Sequence, residues 1–259
     1  VNSDGWSLSG EANYDTLPIK LAINEKFAEK KYKSKCNISF KLDDAAKKAL
    51  GLDWAVLQEP NISGYALVDA DITVQQNDEI SVKVKADLKN TAIDFAYLGF
   101  VKPLNQASSA SADVVLIKDK IKSIKNIKLQ KSGFNIAGGL TMYPNGRVKT
   151  VDINQIKGPK TSARAKVSLS DSANPWLKVE ISGLSYDLSP FFEQIKSKRQ
   201  KNNNQLPVQA NDDDGFEKAN NTDIFMTVNS LWTNNTTPIQ NFAGSAKIRN
   251  GIGMEELKL

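Results

Sequence analysis

The chain has no histidine and a single cysteine, Cys36, among its 259 residues. Without histidine no side chain has an ordinary pKa near neutrality. The Ser-His-Asp and Cys-His catalytic arrangements are therefore excluded, and most zinc sites with them. One thiol can close neither an internal disulfide nor a thiolate metal cluster, so Cys36 is expected to be a small buried hydrophobe that says nothing about redox compartment. Arginine is scarce as well. The net charge is +5, but of 34 basic residues only Arg147, Arg164, Arg199 and Arg249 are arginine, and they are scattered. Readout of nucleic-acid bases favours the arginine fork, so nucleic acid is not an expected partner. No apolar run approaches the roughly 18 residues that span a bilayer; FAYLGFV at 95–101 is the nearest. The opening VNSDGW has neither the charged nor the apolar region of a signal peptide. Both chain ends fall in ordered-looking sequence, so a segment of a longer protein is expected.

Period-2 alternation is what the chain has in quantity. In EISVKVKADLKN (79–90) Ile80, Val82, Val84, Ala86 and Leu88 fall on one parity, and Glu79, Ser81, Lys83, Lys85 and Asp87 on the other. That is a strand with one apolar and one charged face. LPIKLAIN (17–24), CNISFKLD (36–43), ISGYALVDADITVQQ (62–76), SARAKVSLS (162–170), PWLKVEISGLSYD (175–187), DIFMTVNSLWT (223–233) and AGSAKIRN (243–250) repeat the theme. TAIDFAYLGFVKP (91–103) is less regular. KSG, AGG (137–139) and PNG are placed as turns, with Asn145-Gly146 the strongest hairpin signal. Two short helices are expected, one near 44–50 capped by Asp43 and ended by Gly51, the other near 189–196 with Ser189 as N-cap, Pro190 at the first helical position and Glu193 completing the cap. Residues 197–221 form a polar, low-complexity insertion.

Catalytic and ligand-binding chemistry is thinly represented. Asp43 and Asp44 are explained by helix capping, and Asp212, Asp213 and Asp214 lie in the polar insertion without the spaced oxygens of a calcium loop. The glycines of NGIGMEE (250–256) lack the surrounding βαβ unit of a dinucleotide site. Sequons at Asn37, Asn61, Asn220, Asn234 and Asn235 match chance in an Asn-rich chain. Trp6, Trp54, Trp176 and Trp232 are expected in core or rim positions. The lysines of KDKIKSIKNIKLQK (118–131) read as a solvated strand face, with attraction to anionic head groups as the functional alternative. No enzyme, metal or cofactor is expected.

Fully burying Ile80, Val82, Val84 and Leu88 is worth roughly 6–12 kcal/mol, while ordering the dozen residues of the strand costs about as much or more. The apolar face therefore needs a cover. Either a second sheet supplies it, giving a sandwich or barrel, or a non-protein ligand does. With so few helices the expected fold is mostly β, a long antiparallel and strongly curved sheet forming an open groove. It is expected to run through 1–196, to be interrupted by 197–221 and to continue as strands of the same sheet through 222–259.

KADLKNTAIDFAYLGFVKPLNQASSASADVVL (85–116) resembles a stretch of the AsmA-like proteins of bacterial envelopes, TamB-like members included. The shared pattern is a strand ending in DL, a short A-hydrophobic segment, LGF-KP and a small-residue run into the next strand. WLKVEISGLSYDLSPFFEQI (176–195) and NFAGSAKIRNGIGMEELKL (241–259) are similar to two further stretches of that family. The 197–221 insertion departs from its pattern. The resemblance implies a periplasmic β-groove, part of an inner-membrane-anchored protein, that shields phospholipid acyl chains between inner and outer membranes and supports the outer-membrane barrier. Partners would be those acyl chains, the inner membrane through an anchor outside this segment, and outer-membrane components. The inward-facing candidates are Ile80, Val82, Val84, Leu88, Val167, Leu169, Val179 and Ile181, with ordinary sandwich core as the alternative for each. The rival functions are a β-sandwich scaffold for outer-membrane assembly or adhesion, and a histidine-free enzyme acting on envelope glycans through an Asp/Glu pair.

Overall fold

A computed structural model describes residues 5–27, 32–52, 54–118, 120–172, 175–193, 196, 221–249 and 253–258. The run Asp212–Asp214 and most of the 197–221 insertion lie outside them. The chain is mostly β, with two short helices. In order, the strands are β1 (Gly5–Tyr14), β2 (Leu17–Lys26), β3 (Tyr32–Leu42), β4 (Ile62–Gly64), β5 (Ala66–Gln75), β6 (Ile80–Asp87), β7 (Thr91–Phe95), β8 (Phe100–Lys102) and β9 (Ser108–Ile117). There follow β10 (Lys120–Lys131), β11 (Phe134–Met142), β12 (Val148–Lys157), β13 (Ser162–Leu169), β14 (Trp176–Asp187), β15 (Asn221–Trp232), β16 (Pro238–Arg249) and β17 (Gly253–Lys258). Fourteen of them make one sheet in the order β1-β2-β3-β5-β6-β9-β10-β11-β12-β13-β14-β15-β16-β17. β4, β7 and β8 make a second, small sheet. The large sheet is not closed into a barrel; β1 and β17 are its edges.

The sheet is mixed. Every pair is antiparallel except β14 and β15, which run parallel from Trp176↔Asn221 to Asp187↔Trp232. A parallel neighbour cannot be reached by a tight turn; the chain must cross from one end of the sheet to the other. Residues 188–220 are that crossover, so the polar insertion joins two adjacent strands of one sheet. Beyond it β15, β16 and β17 extend the same sheet.

Local chemistry explains several departures from the expected elements. AGG at 137–139 lies inside β11 and is not a turn. The register slips between Ala137 and Gly139 against β12, and a Cβ on Gly138 would stand 2.3 Å from the Asp152 carbonyl oxygen. These glycines permit a β-bulge and not a reversal. The stretch 62–76 splits in two at Gly64, whose φ of +87° and close approach to the Asn90 carbonyl send β4 into the small sheet and β5 into the large one. Helix α1 (Asp44–Ala49) forms where expected; the Asp43 carboxylate accepts from the Ala46 amide at 3.1 Å, and Gly51 follows at φ +64°. Residues 189–193 are helical, but Ser189 is not the cap. The Asp187 carboxylate takes both the Ser189 amide (2.9 Å) and its hydroxyl (2.6 Å), while Glu193 accepts from the Asn235 side chain at 2.8 Å.

Candidate functional site

Cross-strand pairing assembles the alternating residues into rows. Beginning at β1, the directly opposed positions are Leu8, Ile23, Cys36, Ile72, Val82, Val114 and Ile124. They continue through Leu140, Val151, Val167, Val179, Ile224, Ala246 and Leu257. Each of the fourteen strands contributes one member, and every member is aliphatic except Cys36. At about 4.8 Å per strand the row is about 60 Å long. From Ile23 to Ala246 its members are part-buried, and Leu8 is 53% exposed. A second protein layer at sandwich spacing would seal the middle of such a row. Among the described residues these side chains are only part-buried, and none of them joins the buried core. Cys36 behaves as one of the hydrophobes, since burial pushes its thiol above the ordinary cysteine value.

Four residues along the strands, or five where a bulge intervenes, lies a parallel row with a different fate. Ala12, Ile19, Phe40, Val68, Ala86, Ala110, Leu129, Ile136, Ile156, Ala163, Gly183, Val228 and Phe242 are again opposed pair by pair. Val68, Ile136, Ile156 and Val228 are fully buried there, in a core shared with Leu88, Ile93, Phe100, Phe134, Tyr186 and Leu231. The cover is the irregular segment 91–103, now seen as β7, a single 3-10 turn and β8. Its Phe100 meets Phe134 edge to face, with ring centroids 5.3 Å apart. Lys102 is only 1% exposed and donates to the carbonyls of Lys89, Thr91 and Pro103. Lys131 reaches the Val101 carbonyl from the floor of the same core, its ammonium 5.0 Å from the centre of the Phe100 ring. Burial pulls the pKa of both lysines below the ordinary value.

The eight inward-facing candidates therefore divide. Val82, Val167 and Val179 belong to the first row, and Ile80 and Leu169 flank it on the side away from the cover; all five are part-buried. Val84 and Ile181 pack against the core, and Leu88 is inside it. The sequence reading missed the cover and its buried Lys102. The signal present was the run of apolar residues in 91–103 that broke the alternation.

The opposite face is polar, with charges of opposite sign facing one another across strands, as in Asp71↔Lys83↔Asp113↔Lys125 and Asp152↔Lys166↔Glu180. A shallow concavity of about 650 Å³ at β1, β2, β3 and β5 is lined by residues of both parities, Ile19, Phe40 and Val68 as well as Lys20, Ser39 and Asp69. Among the described residues no group of His, Cys, Asp or Glu could hold a metal ion, and no helix is long and apolar enough to cross a membrane. No family model matches the chain, and neither a curated protein nor a solved structure matches it.

Proposed function

We propose that this segment is a non-enzymatic carrier surface for phospholipid acyl chains, the sheet curling about its part-buried aliphatic row to form an open groove. The observation that carries the reading is the row itself, aliphatic at thirteen of fourteen successive strands and, among the described residues, part-buried and outside the buried core. An acyl chain of about 14 methylenes laid along it would gain about 11 kcal/mol by transfer from water. Because that attraction is non-directional, a tail could shift from strand to strand without a specific contact to break. Bulges at Ile124/Ile127, Ala137/Gly139 and Ile153/Ile156 support curling, since each bends and twists its strand. The resemblance of 85–116 to AsmA-like proteins supports the same reading. It also suggests the setting, the periplasm between two membranes with an inner-membrane anchor elsewhere in the protein. A sandwich scaffold would bury the row, and its part-exposure favours the lipid reading.

The test is native mass spectrometry of the gently purified protein, with and without a charge in the middle of the row. The wild type should carry phospholipid, and Val82→Asp paired with Val151→Asp should lose most of it while keeping the fold. Lipid-free wild type after exposure to vesicles would refute the proposal.

A further inference from the structure

The two ends of the strands differ, and the difference bears on where a head group would sit. At one end lies the cover. At the other, the turns after β5, β9, β11 and β13 project past the outermost apolar positions, Val74, Ile80, Leu116 and Ile121, which are paired in register and part-buried. Cations at this open rim are mostly neutralised. Lys33 meets Asp78 at 2.5 Å, Arg147 meets Asp171 at 3.3 Å, Lys178 meets Glu180 at 2.7 Å and Arg249 meets Asp223 at 2.6 Å. The β9–β10 hairpin, whose turn residue Asp119 lies outside the described residues, differs. Lys118, Lys120 and Lys122 are exposed, and none makes an ion pair or hydrogen bond with another described residue.

Each of the three is brought there by backbone geometry. Lys118 forms the turn itself, at φ 50°. Lys120 opens β10 opposite Ile117, which is itself 38% exposed. Lys122 falls where the register slips between Ile121 and Ser123, and a bulge of this kind re-aims a side chain. On the next hairpin the Tyr143 hydroxyl donates to the Leu169 carbonyl at 2.9 Å, and Lys149 stands 5.6 Å from the centre of its ring. Aromatic rings and long cationic stems at an apolar-to-water boundary are what an acyl–head-group junction accommodates.

We propose that this rim receives the phosphate of a bound phospholipid, with Lys118, Lys120 and Lys122 selecting acidic head groups. The inference rests on the lipid reading above. A phosphate under the cover would lie among the buried side chains of Phe100 and Tyr186, where its charge would go unsolvated, so the head lies at the open rim. Lysine suits this role because a compact, mobile ammonium meets a phosphate without demanding one orientation.

The test incubates lipid-depleted protein with vesicles of equal phosphatidylglycerol and phosphatidylcholine, then identifies the lipids carried off by native mass spectrometry. The wild type should prefer phosphatidylglycerol by about tenfold, a preference weakened by salt. The triple variant K118Q/K120Q/K122Q should lose the preference and carry the two lipids equally, with an unchanged urea-denaturation midpoint as the control for folding. Equal uptake of both lipids by the wild type, or a preference that survives in the variant, overturns the head-group assignment alone. Uptake of neither lipid overturns the lipid reading beneath it. Glycerol 3-phosphate, titrated by itself, should not saturate the wild type; saturable binding lost in the triple variant would assign the lysines to a free phosphate and overturn the lipid version.

Discussion

Ile156 and Ile124 stand on one face of one sheet, two strands apart, and have different surroundings. Ile156 is 1% exposed beneath the cover made by β7 and β8; Ile124 is part-buried in a row that, among the described residues, stays outside that core. Strand patterning is equivalent at the two sites. What separates them is a short stretch of chain that leaves the large sheet after β6, folds over one end of it and returns as β9. The sealed end can supply stability by itself, which frees the rest of the face from having to.

The largest expected effect is at the cover. Phe100 is fully buried and stacks edge to face on Phe134, so Phe100→Ala should cost about 3–5 kcal/mol in urea denaturation. A loss under about 1 kcal/mol would mean that the sealed end does not hold the fold. Next, the direct form of the comparison is Ile156→Ala against Ile124→Ala. The first should lose about 2–5 kcal/mol; the second should lose about 1 kcal/mol, because a part-exposed side chain gives up less apolar burial and leaves no closed cavity. Equal losses would show that Ile124 is sealed in solution, and the lipid reading would fall with the distinction.

Lys102→Met should have an intermediate effect. The substitution keeps the stem's volume but leaves the carbonyls of Lys89, Thr91 and Pro103 without their shared donor, a cost of about 2–3 kcal/mol. Methionine at that site as stable as the wild type would indicate that water replaces the ammonium and that the cover is looser than its burial implies.

Alternation made the strands legible, because apolar and polar residues at every second position can serve only a two-faced sheet. Neighbour order was not legible. The parity of PWLKVEISGLSYD and DIFMTVNSLWT is the same whether the strands run parallel or antiparallel, and only the long crossover at 188–220 hints at the parallel pair. Bulges were hidden for a related reason: AGG has turn composition, and what makes it strand is the close approach of the Asp152 backbone from β12. Of the site, the shared parity of Ile80, Val82 and Val84, of Val167 and Leu169, and of Val179 and Ile181 could be read directly. That Leu88, two residues beyond Ala86, is sealed while Val82 is not depends on a segment folding back from later in the chain, and no local pattern carries that.

The smallest effect probes the sealed end from its edge, at helix α1. Asp43 caps the helix by accepting from the Ala46 amide and lies 3.1 Å from Lys41. These contacts, the amide first, hold its carboxyl below the ordinary value. A lowered folded-state pKa contributes stability that is fully present above the unfolded-state value near 3.9 and is lost as pH falls through the folded-state value. Asp43→Ala should therefore cost about 1 kcal/mol at neutral pH, and the gap to wild type should close in acid, once the carboxyl is protonated in both states. A gap that persists at the acid end would assign the effect to helix packing against β2 and β3 instead of to the cap. Within the comparison, that outcome would extend the structural role of the sealed end to its margin, where the helix would then belong to the same cooperative unit as Phe100 and Lys102.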